Sequence, residues 1–315
     1  MSNILVTGGC GYKGTVLIPK LLANGHKVTV VDNQWFGNYL NDDKNLTVIK
    51  EDVRNIENID LTNTEILIHL SSIANDPCGD LNPKLTWEVS ALATMQLADK
   101  AKKCGVKQFI YASSGSVYGI KEEEQVTEDL SLNPISEYNK TKMVSERVLL
   151  SYQDDMIIQI IRPATVCGYS KRMRLDVAVN ALTISALENG EIYVHGGSQI
   201  RPNVHIEDIT DLYLFFIKNS NKVTGIFNAG FENLSLLDIA KKVNDIIPSN
   251  IKIEDLYDPR SYRINSDKLI KSGFKPKKTV EDAIVDLKEK YKNGDLESKL
   301  IYHNLKWMQK NKLVN

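Results

Sequence analysis

Apolar and polar positions show two different periodic patterns in the first half of the chain. Short runs of apolar and β-branched residues predict buried strands, and longer stretches with apolar residues on one helical face predict helices between them. The strands are predicted in "NILVTGG", "HKVTVVDN", "NLTVIKED", "EILIHLSS", "KQFIYASS" and "MIIQIIRP", each including the turn that closes it, and the helices in "YKGTVLIPKLLANG", "NPKLTWEVSALATMQLADKAKKCG" and "PISEYNKTKMVSERVLLSYQ". Uniformly apolar strands alternating with helices are typical of a parallel sheet covered on both faces. We therefore predict an α/β fold with a doubly wound parallel sheet.

The rhythm changes after about residue 165, where shorter helical and strand-like segments are mixed. We predict two interleaved parts without a flexible linker. Residues 1–165 form the main sheet domain, and residues 166–315 form a smaller mixed α/β lobe that binds the substrate. Near the C-terminus, Leu296, Leu300, Leu305 and Met308 have near-helical spacing. This apolar stripe predicts a docking helix or a subunit contact.

Composition and charge narrow the class of protein. The 315 residues have 42% hydrophobic side chains, 25% charged side chains and a net charge of -1, which gives no general attraction to nucleic acid or anionic membranes. A strand starts directly at the N-terminus and no apolar run approaches the ~20 residues of a membrane span, so we expect a cytoplasmic protein. Cys10, Cys78, Cys104 and Cys167 form no CxxC pair and predict reduced thiols rather than a disulfide or a zinc site.

A glycine-rich turn follows the first predicted strand. Gly8, Gly11 and Gly14 stand in "TGGCGYKG" with G-x-x-G-x-x-G spacing. Such a turn lets the backbone approach a pyrophosphate, and the free amides of the following helix meet its charge. Asp32 ends the second predicted strand, where a carboxylate accepts ribose hydroxyls and repels a 2′-phosphate. These residues predict a Rossmann-type dinucleotide site that prefers NAD to NADP.

Tyr138 precedes Lys142 by one helical turn, and the same spacing recurs at Tyr302 and Lys306. The spacing alone therefore does not separate a catalytic pair from a surface turn. A free tyrosine titrates near ~10, and bringing its pKa to about 7 requires roughly 4 kcal/mol of preference for the phenolate. A lysine one turn away and a positively charged nicotinamide ring can supply that preference in a partly dry site.

Further motifs surround these two features. They are "HLSSIA" at 69–74, "SSGSVYG" at 113–119, "YNKTK" at 138–142, "RPATVCG" at 162–168, "RPNVHIEDI" at 201–209 and "DPRSYRINSDK" at 258–268. With them the chain resembles, over nearly its whole length, the extended short-chain dehydrogenase/reductase family of nucleotide-sugar epimerases and dehydratases. Tyr302 and Lys306 match no motif of that family and are interpreted as tail surface.

The resemblance implies an enzyme with NAD as cofactor, no metal and three catalytic residues. Ser114 and Tyr138 share the sugar hydroxyl, Lys142 holds the nicotinamide ribose, and a hydride leaves the sugar carbon as Tyr138 takes the proton. The implied cofactor residues are Gly8, Gly11, Tyr12, Lys13, Gly14, Asp32, Asn33, Asp52, Val53, Leu70, Ser71, Ser72, Ala112, Tyr138, Lys142 and Arg162. Among these, Lys13 fits a surface lysine equally well. A non-catalytic NAD-binding regulator is a remote alternative, because the three catalytic residues are intact.

The two positions after Ser114 restrict the reaction. Sugar 4,6-dehydratases of the family carry an Asp-Glu pair there and decarboxylating relatives a glutamate at the second position, whereas this chain has Gly115 and Ser116. Without an acid to expel water, we expect hydride transfer at one carbon, C4. A 4-dehydrogenase would release the keto sugar and a 4-epimerase would return the hydride, and both stay open, with the dehydrogenase slightly favoured.

The implied substrate is a nucleotide-diphosphate sugar. UDP-galactose 4-epimerases carry an asparagine where this chain has Thr165, and the stretch "GYSKRMRLDVAVN" looks like a divergent branch that includes bacterial NAD-dependent GDP-heptose 4-dehydrogenases of capsule synthesis. The implied substrate residues are Ser114, Ser116, Thr165, Arg174, Asn180, Arg201 and Arg260. Arginines suit a diphosphate because their planar forks bind two oxygens. For Lys171, Arg172 and Arg174, a solvated basic loop and a ligand contact stay equally open.

The resemblance also implies self-association. Relatives pair two long helices, which here span about residues 82–104 and 135–153, into a four-helix dimer contact. We therefore expect a homodimer, with a tetramer as an extension if the apolar tail adds a second interface.

Overall fold

The computed structural model describes residues 1–254 and 261–313. The strands are β1 (Asn3–Thr7), β2 (Lys27–Asp32), β3 (Leu46–Lys50), β4 (Ile66–His69), β5 (Gln108–Ala112), β6 (Ile157–Pro163), β7 (Thr165–Cys167), β8 (Glu191–His195), β9 (Ile200–His205), β10 (Gly225–Ala229), β11 (Glu232–Ser235) and β12 (Asn250–Glu254). The helices are α1 (Gly14–Ala23), α2 (Asp76–Gly79), α3 (Pro83–Trp87), α4 (Ala93–Lys103), α5 (Glu137–Leu150), α6 (Ala178–Asn189), α7 (Ile206–Lys218), α8 (Leu236–Ile246), α9 (Asp267–Lys271), α10 (Val280–Lys292) and α11 (Asn304–Lys310).

Seven parallel strands form the main sheet in the order β10-β6-β5-β4-β1-β2-β3. β4 and β5 are buried along their whole length, and this is why their sequences are apolar on both faces rather than alternating. The edge strand β3 is partly exposed and carries more polar residues. The predicted Rossmann-type doubly wound sheet is confirmed.

The strand order reverses between β1 and β4, which are neighbours in the sheet although β2 and β3 separate them in sequence. Ile4 pairs with Ile66 in this register, and Thr7 pairs with His69. Chain crossovers leave such a point in opposite directions, so a crevice opens beyond the carboxyl ends of the strands. The glycine turn after β1, Asp32 at the end of β2 and Ser71 after β4 all reach this crevice.

Residues beyond 165 contribute to both parts of the molecule. β10 extends the main sheet beside β6, with Phe227 opposite Ile161. α7 packs against α1, where the Lys20 ammonium lies 2.7 Å from the Glu207 carboxylate and 2.5 Å from that of Asp211. The remaining strands form a three-stranded sheet (β11-β9-β7) and a two-stranded sheet (β12-β8). The second part of the chain is thus interleaved with the first.

The helix predicted for residues 82–104 begins at Pro83, and the Asn82 side chain caps it by accepting from the Leu85 amide at 3.0 Å. A π-helical turn over Glu88–Leu92 separates α3 from α4. This turn, which the sequence pattern did not predict, leaves the Ser90 carbonyl able to accept from both the Thr94 and the Ser145 hydroxyls at 2.8 Å. The helix is therefore present, with one widened turn beside α5.

The apolar tail folds back onto its own chain. A 3-10 turn at Leu300–Tyr302 precedes α11. Met308 and Leu305 pack into the apolar cluster that covers one face of the main sheet, whereas Leu296 belongs to the cluster on the other face. The predicted docking role is therefore observed, although the helix is shorter than the stripe suggested.

None of the helices in the described part of the chain has the length and apolar character of a membrane span. Residues 1–254 and 261–313 also contain no cluster of three or more His, Cys, Asp or Glu side chains able to hold a metal ion. Cys10, Cys78, Cys104 and Cys167 are free thiols, and only Cys104 among them is exposed.

Candidate active site

The turn between β1 and α1 is a closely packed cradle of glycines. A Cβ at Gly8 would stand 2.6 Å from the Ser71 amide nitrogen, and one at Gly14 would stand 2.2 Å from the Gly9 carbonyl oxygen. Neither position accepts a side chain unless the backbone moves. Gly8 also has φ +72, a conformation that favours glycine. The backbone is therefore open to a close ligand, and it fits the pyrophosphate of a dinucleotide.

A cavity of about 560 Å³ runs from this cradle across the carboxyl ends of the strands. All the predicted cofactor residues other than Arg162 line it. It is also lined by five of the predicted substrate residues, namely Ser114, Ser116, Thr165, Arg174 and Arg201. Residues predicted for cofactor and for substrate therefore share one continuous space.

Asp32 marks the end of the cavity suited to the adenosine ribose. Its carboxylate accepts from the Gln34 amide at 2.7 Å and from the Cys10 amide at 3.0 Å. Burial raises the pKa of Asp32, and the two amides and the nearby Arg172 charge oppose that rise. Asp52, a further lining carboxylate, is paired with Arg54 at 3.0 Å. This end fits a ribose, whose hydroxyls a carboxylate accepts.

Ser114, Tyr138 and Lys142 lie together at the other end of the cavity. Ser114 comes shortly after β5, and the other two share one face of α5 because they are one turn apart. The Lys142 ammonium lies 5.7 Å from the centre of the Tyr138 ring and donates to the Ala112 carbonyl at 2.7 Å. The second Tyr-Lys pair is elsewhere: Tyr302 lies in the tail and does not line this cavity. Its interpretation as a surface residue is wrong, because its ring is buried in an apolar cluster. Of the two Tyr-Lys pairs with the same spacing, only the pair on α5 therefore lies in the cavity.

The chain's own groups leave Tyr138 a weak acid. Burial raises the pKa of Tyr138 to about 12, the Ser114 hydroxyl and Arg174 lower it, and Asp76 raises it. The pKa of Lys142 is itself held well below its usual value by burial and by the Lys13 charge. Lys142 therefore does not bring the phenol into the neutral range by itself, and a positively charged ligand group beside the phenol would lower its pKa.

A cluster of positive groups lies between the two ends. Burial and the charge of Arg174 lower the pKa of Lys13 to about 8, and Lys13 in turn lowers that of Lys142. Arg174 is held by Asp176, with Nε donating to the carboxylate at 2.9 Å. Lys13 and Arg174 thus place two positive groups beside one carboxylate, Asp176, in this part of the cavity. This charge fits the phosphates of a dinucleotide or of a nucleotide sugar.

The prediction that Arg162 contacts the cofactor is not supported by its position. Its side chain is 1% exposed and forms a two-pronged ion pair with Glu146, with nitrogen-to-oxygen distances of 2.7 and 3.0 Å. It also donates to the Tyr118 hydroxyl at 2.7 Å. The Ser113 hydroxyl donates to the same Glu146 carboxylate. Arg162 thus lies beneath the catalytic end as a support rather than in the cavity, since a guanidinium needs such a partner when buried.

Asn180 is likewise a structural residue. Its amide accepts from the Gly168 backbone at 3.0 Å and donates to the Tyr12 hydroxyl at 3.0 Å and to the Arg174 carbonyl at 2.9 Å. Because these bonds use its acceptor and both donors, Asn180 positions other residues and does not line the cavity. Arg260 lies outside the described residues.

Gly115 and Ser116 confirm that no acid stands after Ser114. A Cβ at Gly115 would lie 2.4 Å from Ile264 Cδ1 and 3.1 Å from the Pro163 carbonyl oxygen. The Ser116 hydroxyl is 2.6 Å from that of Ser114 and also donates to Asn139. The packing around residue 115 therefore excludes a carboxylate side chain there.

Sequence reasoning missed several residues that line the cavity, among them Trp35, Phe36, Asp76, Asp176 and Asn304. Asp76 could have been found, because it follows β4 and the carboxyl ends of parallel strands line such sites. Its carboxylate accepts from the Ser136 hydroxyl at 2.5 Å. Asn304 could not have been found, because nothing in the tail sequence indicates which surface α11 covers.

Comparison with known proteins agrees with this geometry. The family model described as the NAD dependent epimerase/dehydratase family matches residues 4–230. UDP-glucuronic acid decarboxylase 1 of Danio rerio is 29% identical over 301 residues, which cover 90% of this chain and 71% of that protein. UDP-glucose 4-epimerase of Lactobacillus helveticus is 26% identical and covers 90% of this chain and 94% of that protein.

A solved structure of UDP-glucose 4-epimerase from Thermotoga maritima with UDP-glucose superposes with a TM-score of 0.84. It is 25% identical and covers 93% of this chain and 100% of the other. Similarity of this order extends to proteins named for two different reactions. Overall similarity therefore identifies the family and the fold, but it does not distinguish between these reactions, which depend on residues of the site.

Proposed function

Because the chain belongs to the NAD-dependent epimerase/dehydratase family, we propose that this enzyme oxidises the C4 hydroxyl of a nucleotide-diphosphate sugar to a 4-keto sugar. The main support for the proposal is that Ser114, Tyr138 and Lys142 lie together at one end of the cavity, whose other end begins at the glycine-rich turn. NAD, when bound, is the hydride acceptor.

The catalytic residues have separate roles in this proposal. Tyr138 accepts the proton of the sugar hydroxyl, and Ser114 orients that hydroxyl beside the phenol. Lys142 is fixed by its bond to the Ala112 carbonyl and holds the nicotinamide ribose. Burial raises the pKa of the Tyr138 phenol, and in this proposal the positive charge of bound oxidised cofactor would lower it, so that Tyr138 could act as the base.

Gly115 and Ser116 argue for hydride transfer alone. Elimination of water from the sugar requires an acid close to C6, and the packing against Ile264 leaves no room for one at residue 115. Asp76 is a charged group outside the predicted triad that raises the pKa of Tyr138. It is held by Ser136, so we assign it to positioning of α2 against α5 rather than to elimination chemistry.

The finer proposal is a 4-dehydrogenase of the GDP-heptose type that supplies a precursor of capsule or other surface polysaccharide. Arg174 and Arg201 line the cavity and suit a diphosphate. Thr165 occupies the position where UDP-galactose 4-epimerases carry an asparagine, and the segment around Arg174 resembles the GDP-heptose branch. The remaining site residues, including Gly11, Tyr12, Asn33, Val53, Leu70 and Ser72, are proposed as cofactor contacts.

A 4-epimerase is the second candidate. The full-length relatives and the superposed structure named as UDP-glucose 4-epimerases favour it. The two candidates share the oxidation step and differ only in whether the hydride returns to the sugar.

Incubation of the purified enzyme with UDP-, GDP-, CDP- and dTDP-sugars and NAD, followed by mass spectrometry and absorbance at the NADH band, tests the proposal. A product lighter by two hydrogens with NADH formed supports the dehydrogenase. An isomeric sugar without net NADH supports the epimerase. Loss of water or carbon dioxide from the sugar would contradict both, and no change with any sugar would favour a regulator.

We further propose a homodimer formed through α3, α4 and α5. Leu92, at the end of the π-helical turn, and Met95, in α4, are 45% and 42% exposed, so large apolar side chains are available for a contact on this face. Light scattering of the wild type and of a Leu92→Glu variant tests the contact, since a buried glutamate would dissociate the pair. A cytoplasmic location stays a prediction.

A further inference from the structure

The adenosine end of the cavity contains two residues from distant parts of the chain that have no assigned role. Arg172 lies in the segment between β7 and α6, and Asn304 is the first residue of α11. Both line the cavity together with Asp32, Trp35 and Phe36. They are linked directly, because Arg172 Nη2 donates to the Asn304 side-chain oxygen at 2.7 Å.

The Arg172 guanidinium is buried but incompletely paired. It is 2% exposed, and its carbon lies 4.1 Å from the centre of the Phe36 ring. Nη1 donates to the Met173 carbonyl at 3.1 Å. Nε is buried and has no hydrogen-bond partner among residues 1–254 and 261–313. A buried donor of a charged group is costly to leave unpaired, which indicates a ligand acceptor at this point.

The charges around Arg172 support the same interpretation. Burial and the neighbouring Arg174 lower the pKa of Arg172 to about 10, so it is charged at neutral pH. Two carboxylates act on Arg172: Asp176, which already accepts from Arg174 and the Asn304 backbone amide, and Asp32, which already accepts from two backbone amides. Arg162 differs in this respect, because the Glu146 carboxylate forms a bidentate ion pair with it.

α11 fixes the wall on which Arg172 stands. The Asn304 amide donates to the Asp176 carboxylate at 3.1 Å, and the Trp307 indole donates to the Trp35 carbonyl at 2.8 Å. The tail therefore holds both Arg172 and the loop that carries Phe36. These contacts join β2, the segment before α6 and the tail around one end of the cavity.

We propose that Arg172, positioned by Phe36 and Asn304, binds acceptor oxygens in the adenosine half of NAD, and that α11 is consequently one wall of the cofactor site. The ribose hydroxyls and the adjoining phosphate offer the same acceptor chemistry. The inference rests on the NAD dependence of the family and not on which sugar is oxidised.

Binding of NAD to the purified full-length protein tests the proposal without an activity assay. Loss of a charge-assisted hydrogen bond predicts a rise of about 10-fold to 100-fold in the Kd for NAD in Arg172→Ala, measured by calorimetry. Asn304→Ala, which only frees Arg172, is expected to raise it by roughly threefold to tenfold. Lys306→Ala, an exposed position on the same helix, is the matched control and leaves the Kd unchanged.

Thermal unfolding separates binding from a purely structural role. If Arg172 contacts the cofactor, the rise in Tm caused by NAD shrinks in Arg172→Ala. If Arg172 only ties the tail to the cavity wall, Tm falls equally with and without NAD and the NAD-induced rise is unchanged, which overturns the proposal. Should Arg172→Ala fail to fold, Arg172→Lys decides, because it keeps the charge but loses the Nε donor: a weakened Kd supports the proposal and a wild-type Kd overturns it.

Fragments of the cofactor locate the contact. Competition by adenosine, adenosine 5′-monophosphate and nicotinamide mononucleotide is measured against NADH fluorescence in wild type and Arg172→Ala. Equal weakening of both adenosine fragments assigns the ribose oxygens, and weakening of the monophosphate alone assigns the phosphate. Weakening of nicotinamide mononucleotide to the same degree would contradict an adenosine-end contact.

Discussion

The two ends of the cavity hold their cations in different ways. Beneath the catalytic end, Arg162 has a carboxylate partner, since Glu146 binds it with two prongs. At the adenosine end, Arg172 has an aromatic ring, a carbonyl and an amide oxygen around it, and its Nε has no partner in the described chain. Both guanidinium groups are equally buried.

The two ends differ in whether their buried arginine still lacks a hydrogen-bond acceptor that a ligand could supply. A fully paired network is rigid and can fix the position of neighbouring groups, here Ser113 and through it the chain at Ser114. An incompletely paired cation instead gains stability when a ligand supplies an acceptor. The catalytic end is thus organised by the chain alone, whereas the adenosine end is completed by what it binds.

The largest effect is expected from Tyr138→Phe. Removal of the phenol takes away the proton acceptor but leaves the adenosine end intact, so turnover falls by about 10³-fold or more while the Kd for NAD changes little. Steady-state kinetics and calorimetry measure the two quantities separately.

Tyr302→Phe is the matched control for that variant, because Tyr302 has the same spacing to a lysine but lies in the tail. Its turnover is expected to equal that of the wild type. Comparable loss in both variants would remove the distinction between the two ends.

The next largest effect is expected from Glu146→Ala. Loss of this carboxylate leaves the Arg162 charge buried without its ion-pair partner, which costs about 3–5 kcal/mol of the free energy of unfolding. Urea unfolding monitored by fluorescence measures it. In contrast, Asp155→Ala breaks the exposed pair with Lys102 and is expected to cost at most about 1 kcal/mol. Equal costs would show that the network beneath the catalytic end is not the rigid support described here.

The residues of the two ends differ in how far apart they lie in the sequence, and this decides which of them could be predicted. Ser114, Tyr138 and Lys142 come from one strand end and one helical turn, so local spacing and motif identify them. Arg172 and Asn304 are 132 residues apart, and the contact between them depends on how α11 docks, which no local pattern encodes. Arg162 shows the reverse error, because the motif suggested a ligand contact where packing placed a buried ion pair.

The sheet was easier to predict than either end. β4 and β5 are buried on both faces, and the uniformly apolar runs that this burial requires are visible in the sequence. The π-helical turn before α4 was not predicted, and it lies where the Ser90 carbonyl accepts from Ser145 of α5, a contact between residues far apart in the sequence.

A smaller effect is expected for cofactor choice in Asp32→Ser. Loss of the carboxylate removes the group that repels a 2′-phosphate and leaves Arg172 nearby to attract one. The ratio of kcat/KM for NAD to that for NADP should fall by roughly 10-fold to 100-fold. Asp52→Ser removes a lining carboxylate that is paired with Arg54, and should change the ratio less. An unaltered ratio in Asp32→Ser would mean that Asp32 does not face the ribose.

The smallest effect expected is a dependence of NAD affinity on pH through Lys13, which lies between the two ends. Burial and Arg174 lower the pKa of this lysine to about 8, so it is charged below that pH and neutral above it. Phosphates bind the charged form better, and the Kd for NAD should therefore rise by up to roughly tenfold between about pH 7 and pH 9. The Lys13→Arg variant keeps its charge throughout this range and should bind NAD with a flatter pH profile, while Lys13→Met should bind NAD weakly at every pH.

Since bound phosphate favours the protonated lysine, the pKa of Lys13 in the complex must lie above that of the free protein. A wild-type profile as flat as that of Lys13→Arg would place the Lys13 ammonium away from the phosphates and leave Arg174 as their main cation.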